Sequence, residues 1–184
     1  MASSINASVS GAGGVITTAD NTGTLQLQSG GTTIATISST GLALNTGNIT
    51  LPSGAAPSFS ANAGSGQSIS NGTAAKLLYA TEDWDTNSNY ASSTFTPTVA
   101  GYYQVSASVY IGGTNNMELA IRKNGSEYMR LSQLSGYNIC GSGIVNFNGS
   151  TDYIEVWLFN GHGSTVTVNG YSFAKFQAAM IRSA

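Results

Sequence analysis

Hydrophobic and polar positions alternate with a period of two over long stretches of the C-terminal part of this chain. Between Gly101 and Ile111, the residues Tyr103, Val105, Ala107, Val109 and Ile111 fall on one side and Tyr102, Gln104, Ser106, Ser108 and Tyr110 on the other. That is the signature of a strand with one face in a core. The run from Asp152 to Phe159 repeats it, with Ile154, Val156 and Leu158 on the core side and Tyr153, Glu155, Trp157 and Phe159 opposite. Five Asn-Gly pairs, beginning at Asn71, Asn124, Asn148, Asn160 and Asn169, punctuate the β-rich runs, and Asn-Gly is the strongest short-range hairpin signal. The one helix-compatible stretch, Ala74 to Thr81, has no convincing caps and reads as a strand too. The pattern predicts an antiparallel all-β sandwich over residues 59–184, with Tyr103, Val105, Val109, Ile154 and Val156 in its core.

Upstream the alternations are shorter. Leu25 and Leu27, Ile34 with Ile37, Leu42 and Leu44, and Ile49 with Leu51 start nine, eight and seven residues apart. Between them stand Ser29-Gly30-Gly31, Thr40-Gly41 and Thr46-Gly47, which are turn residues. Each segment offers two apolar side chains, too few for a lone chain, so the pattern reads as stacked β-segments completed by identical chains around a shared axis. A flexible Gly/Ser/Thr tether fits the same composition.

Composition sharpens this division. Residues 1–58 hold no aromatic residue, one charge (Asp20), nine glycines and nineteen Ser or Thr, whereas 16 of 17 aromatics and 13 of 14 formal charges lie from Lys76 onward. Only the second part can remove enough apolar area from water to offset chain entropy. The expected organisation is an N-terminal anchor or stalk, residues 1–58, and a globular head, residues 59–184, joined near Leu51-Pro-Ser-Gly-Ala-Ala-Pro57. A net charge of −2 with no basic run cannot hold a phosphate backbone, so nucleic acid is not an expected partner. No apolar run reaches the ~18 residues of a membrane span, and Met1 to Ser10 lacks the basic start and apolar stretch of a signal peptide, so neither membrane insertion nor processing is expected. One cysteine, Cys140, and one histidine, His162, leave no disulfide framework, no His-rich metal site and no nucleophile–base pair. No cofactor, resident metal or enzymatic activity is expected.

Two resemblances add to this reading. The order Trp84-Asp85, Tyr90, Phe95-Thr-Pro97-Thr-Val-Ala-Gly101-Tyr-Tyr103, Arg122-Lys-Asn-Gly125, Gly149-Ser-Thr-Asp152, Tyr171-Ser-Phe173 and Phe176 resembles the globular head of complement component 1q and its tumour-necrosis-factor-like relatives. The resemblance implies a ten-stranded jelly roll that assembles as a homotrimer and works by binding. The collagen-type repeats that precede such heads in animal plasma proteins are missing here. At the N-terminus, Ser4-Ile-Asn-Ala-Ser8, Gly13 to Asp20, Gly23 to Gly30 and Thr40-Gly-Leu42 are similar to the opening of tailed-bacteriophage fibre and appendage proteins.

Candidate site residues follow from both sources. Tyr102, Tyr110, Tyr153, Trp157 and Phe159 lie opposite the core positions. They suit either a sugar platform or a subunit seam. The seam is favoured, because two neighbouring strands with aromatic second faces would expose a larger apolar patch than monomers usually tolerate. Receptor contacts then fall to loop tips, with Asp85, Asn87, Asn115, Tyr137 and His162 as candidates, since Gly, Asn, Ser and Tyr make adaptable recognition surfaces. Glu82, Asp83 and Asp85 lack calcium-loop spacing and read as an acidic solvated loop, and Cys140 reads as a small buried residue of a strand. The expected function is a trimeric tail fibre or receptor-binding appendage of a phage virion. It would attach to other virion proteins through residues 1–58 and recognise a host-surface glycan or protein. The alternative is a capsid decoration or head-fibre protein. A bacterial exosporium-type adhesin and a polysaccharide depolymerase are weaker options.

Overall fold

A computed structural model describes residues 24–39, 41–45, 56–63, 66–111, 116–134, 137–170 and 174–184. The chain divides into two units, Met1–Thr50 and Leu51–Ala184. In the first, β1 (Leu25–Ser29), β2 (Thr32–Ser38) and β3 (Gly41–Leu44) form one antiparallel sheet in that order. The apolar pair Ile49 and Leu51 lies outside the described residues.

Among the described residues the second unit holds thirteen strand segments, and the described residues contain no helix. They are β4 (Ser58–Asn62), β5 (Gln67–Ile69), β6 (Thr73–Lys76), β7 (Thr81–Asp85), β8 (Tyr90–Ala91), β9 (Thr94–Phe95), β10 (Gly101–Ile111), β11 (Met117–Lys123), β12 (Ser126–Leu134), β13 (Asn138–Phe147), β14 (Ile154–Asn160), β15 (Val166–Asn169) and β16 (Lys175–Ser183). Three of these, β5, β8 and β9, are only two or three residues long, so the jelly-roll outline of ten survives with short additions. A seven-stranded sheet runs β5-β15-β10-β16-β4-β7 with β13 on the other side of β10, and a six-stranded sheet runs β12-β11-β14-β9-β8 with β6 also on β14.

Alternation dictates the core. Tyr103, Val105, Ala107, Val109 and Ile111 of β10 and Ile154, Val156 and Leu158 of β14 join a single buried cluster. The residues of the Phe95 to Tyr103 motif meet inside it. The Phe95 and Tyr103 rings lie 5.8 Å apart, Tyr103 and Phe147 5.1 Å, and Phe59 stacks on Phe95 and on Tyr90 at 4.5 Å. Such offset and edge-on aromatic pairs add to what area burial contributes. Gly101 is where the motif requires glycine: a Cβ there would stand 2.4 Å from the Arg182 carbonyl oxygen of the paired strand β16.

Two expectations are corrected. β10 and β14 are not neighbours. They belong to different sheets and face each other across the core, so their second faces point to opposite sides of the molecule. Nor do the Asn-Gly pairs all make hairpins. Asn124 (φ 54°) and Gly125 (φ 82°) do form a two-residue turn between paired strands β11 and β12. Asn71 and Asn148 instead lie in connections that pass from one sheet to the other, and Asn160 is the last residue of β14 before another such connection. A second two-residue hairpin, joining β8 and β9, uses Ser92 and Ser93 at φ 50° and 58°. No glycine or asparagine signals it.

Candidate functional site

The outward side of the seven-stranded sheet is neutral at its centre. Register places Gln104, Ser106 and Ser108 of β10 beside Ile144, Ser142 and Cys140 of β13, and Gln104 and Ser106 beside Ala179 and Gln177 of β16. Tyr102, 39% exposed, and Ile144, 55% exposed, stand toward one end, and Tyr110 lies beside Tyr137 at the other, rings 6.3 Å apart. Charge is confined to the margins, where Arg182 lies over the Tyr102 ring and Lys175 pairs with Asp83. Trp84, half exposed and not among the site residues expected from the sequence, borders a shallow, open depression of about 340 Å³ with Gln104, Ser106, Gln177 and Ala179. A β-bulge at Asp83 sets Trp84 opposite Ser60. Cys140 is exposed rather than buried, because its register partner Ser108 faces outward and Ile139 takes the core position.

The outward side of the six-stranded sheet is charged and closed on itself. Arg122 lies 3.9 Å above the Trp157 ring, and Trp157 Nε1 donates to Glu155 at 2.9 Å. Lys76 Nζ donates to the same carboxylate at 2.8 Å. Burial pushes the Glu155 carboxyl up, but Lys76 and Trp157 outweigh it and hold the group below its ordinary value. Arg130 bridges Glu118 and Glu127 at 3.1 and 3.2 Å. Tyr153, Trp157 and Phe159 are half-buried on this side of the molecule, so the five aromatics expected at one seam do not share a surface. Tyr102 and Tyr110 occupy the neutral face. Trp157 and Phe159 occupy the charged one, where Arg122 already covers Trp157.

The candidate receptor residues separate as well. Asp85, the last residue of β7, and Asn87 lie toward the Gly101 end of β10, at a loop whose Asn89 carbonyl and side chain accept from Thr96 and Thr98. Asp85 is occupied structurally, since its carboxylate accepts from the backbone N–H of Asn87 and Tyr90 at 3.1 and 2.6 Å. Tyr137 and His162 lie at the Ile111 end. There Ile111 N donates to the Tyr137 carbonyl and buried Asn160 bonds Ile69, His162 and Ser164. His162 is half-buried, and its Nδ1 is the one buried side-chain polar atom without a partner among the described residues. Asn115, like Tyr171 to Phe173, lies outside the described residues.

The acidic stretch is a strand, β7, rather than a solvated loop. Its carboxylates diverge: Asp83 accepts from Lys175 Nζ at 2.6 Å and from Ser60 and Asn62, which hold its carboxyl below the ordinary range, while Asp85 faces the loop amides. Among the described residues no three His, Cys, Asp or Glu side chains gather as metal ligands. A second open depression, about 330 Å³, lies between Leu78, Glu82, Tyr90 and Ser92. Both depressions are open, and the surfaces they offer suit contact.

No protein-family model and no curated protein sequence matches this chain. In structure it is similar to murine APRIL crystallised at pH 8.0, with a TM-score of 0.54 and 9% identity covering 68% of this chain and 99% of that one. The same protein at pH 5.0 gives a TM-score of 0.51 at 9% identity with the same coverage. The globular domain of zebrafish complement 1qA gives 0.49 at 14% identity, covering 70% of this chain and 99% of that one. At these identities the likeness to APRIL establishes the fold alone, an all-β jelly roll.

Proposed function

We propose that this chain is a trimeric receptor-binding appendage of a bacteriophage particle, which attaches to other virion proteins through its N-terminal part and binds the bacterial surface without cleaving it. The observation that carries the reading is the contrast between the two outward faces of the jelly roll. A face of Ser, Gln and Ala with Trp84, Tyr102 and Ile144 exposed is suited to burial between subunits, because it has little charge to desolvate. The opposite face, laced with ion pairs, is suited to water. The seam therefore runs over the seven-stranded sheet and includes Tyr102 and Tyr110, while Trp157 and Phe159 stay outside it. Threefold assembly leaves loops such as those of Tyr137 and His162 repeated three times, and three modest affinities for a surface glycan or protein combine into durable attachment. The virion setting is supported by the phage-fibre-like opening of the sequence.

Three measurements test this. Light scattering of the purified protein should report a trimer at micromolar concentration, and a stable monomer would remove the seam. A particle reconstruction should place the chain on the tail, whereas a position on the capsid lattice would replace receptor binding with decoration. Purified protein should label host cells and compete with adsorption, and failure of both would end the adhesin reading.

A further inference from the structure

Among the described residues, the first unit is a sheet with one oily face left open. Register aligns Leu25, Ile37 and Leu42 in one cross-strand row and Leu27, Ala35 and Leu44 in the next. Cross-strand partners share a face, so all six point the same way. The opposite face is polar and satisfies itself: Gln26, Gln28 and Thr33 hydrogen-bond in a triangle of 3.3 Å contacts, and Thr36 Oγ1 donates to Asn45 at 2.8 Å. Yet Leu25, Leu27, Ile37, Leu42 and Leu44 are 41 to 61% exposed, and only the central Ala35 is buried. The two edge strands are equally unguarded, since no charged residue or proline occurs between Thr24 and Asn45, and these are the residues that usually blunt free edges.

We propose that this aliphatic face packs against the same face of two further copies of the chain, closing a three-walled β-prism with the Gln/Thr face outward; the inference rests on the threefold assembly proposed for the head. Width selects the number of walls. Packed sheets stand about 10 Å apart, so a prism wall stands about 5 Å from the axis; three walls at that distance are each about 17 Å wide and four walls about 10 Å. Three strands at about 4.8 Å cover about 14 Å, which suits three walls, whereas four walls would take about two strands each. Area selects the partner. The face measures roughly 200 to 250 Å² from strand length and spacing, against about 800 Å² per partner in a stable interface. A separate protein could not be held by so little. Copies already tethered by an assembled head meet at millimolar effective concentration, where a small apolar surface suffices.

The test uses the full-length chain, with native mass spectrometry for assembly and hydrogen exchange for residues 25–44. In the trimer these strands should be protected, and dilution to monomer should remove the protection. Ile37→Lys, on the oily face, should reduce protection about tenfold or more, since it sets a charge in an apolar interior, while the head remains trimeric. Thr36→Lys, one residue away on the polar face, should stay within about twofold. Ile37→Thr keeps the β-branched strand preference and should fall between them. Equal effects of the two lysine variants, or full protection persisting in diluted monomer, would overturn the prism. A trimer whose strands exchange freely would overturn it too and leave the head assembly standing. A chain monomeric at every concentration would remove the assembly reading and the prism with it.

Discussion

At the centre of the seven-stranded sheet the outward side chains are Ser106, Ser142 and Gln177; at matching positions on the six-stranded sheet they are Arg122, Trp157 and Arg130. Both faces are the second sides of strands whose first sides fill one core. Neither Ser106 nor Arg122 contributes to that core, so folding leaves both positions free to vary. The difference between them reflects what each face meets after folding. The charged face satisfies itself within one chain through Arg122 on Trp157, Lys76 on Glu155 and Arg130 on Glu118 and Glu127. The neutral face leaves Trp84, Tyr102 and Ile144 half-open to water. The two faces of one sandwich therefore differ in what a neighbour would gain by covering them, which is why the seam is proposed on the neutral one.

The largest effect expected is on the core side that both faces share. Val105→Asp puts a carboxylate at a position with no exposed surface, and an unpaired buried charge costs more than about 4 kcal/mol, enough to prevent folding. Circular dichroism of the variant should lose the β signature. Gln104→Asp, the adjacent outward residue, should fold. Next in size is Ser106→Arg, which would set an unpaired cation in the proposed seam. It should weaken assembly at least about 100-fold, equivalent to roughly 3 kcal/mol, without changing the melting of the monomer. Sedimentation over a dilution series separates these two readouts. A trimer unaffected by Ser106→Arg would move the seam to another surface.

The limits of sequence reading appear in the same strands. Period-two alternation in Gly101 to Ile111 and Asp152 to Phe159 says which residues share a side, and every alternate core residue named from it is buried. Alternation is local, however. It does not say which strands pair, and pairing decides whether two second faces merge or oppose. That is why Tyr110 and Trp157 were grouped and the fold divides them. The same gap explains Cys140, whose outward position follows from its register with Ser108, and Asp85, whose carboxylate is taken by amides from its own loop. Asn-Gly marks a turn but not a hairpin at Asn71 and Asn148, because the φ > 0 of Gly72 and Gly149 serves a crossover as well as a hairpin, and Asn160 ends β14 with no positive φ at all. Trp84 stands in the motif that carries the resemblance, but its outward position does not follow from alternation, since a bulge inside β7 controls where it points.

Trp157 sharpens the comparison at smaller scale. If Arg122 above it and Glu155 beside it already satisfy the ring, Trp157→Ala should lower unfolding stability by about 2 kcal/mol through lost stacking and packing. Trimer dissociation should remain unchanged. Arg122→Gln should reproduce about half of the loss. A Trp157→Ala variant that dissociates on dilution would return this residue to the seam.

The smallest effect, and the one that treats the two faces most differently, is that of pH. Glu155 on the charged face, Asp152 in its ion pair with Lys123, and Asp83 against Lys175 all have carboxyls held below their ordinary values. A carboxylate with a depressed folded pKa binds protons more weakly when folded than unfolded. Its stabilisation is therefore complete above the ordinary carboxylate range and lost as pH falls below about 4 through the lowered values. Melting temperature should be flat from neutrality to about pH 5 and then decline. Glu155→Gln should make that decline shallower while costing no more than about 1 kcal/mol at neutral pH, as expected for a partly exposed ion pair. The centre of the neutral face is built from Ser106, Ser142, Gln104, Gln177 and Ala179, none of which carries an acidic or basic side chain. Assembly at pH 5, above the acid transition, should match assembly at pH 7. A dissociation constant that rises between those two values would place a titrating carboxylate in the seam and break the division between the two faces.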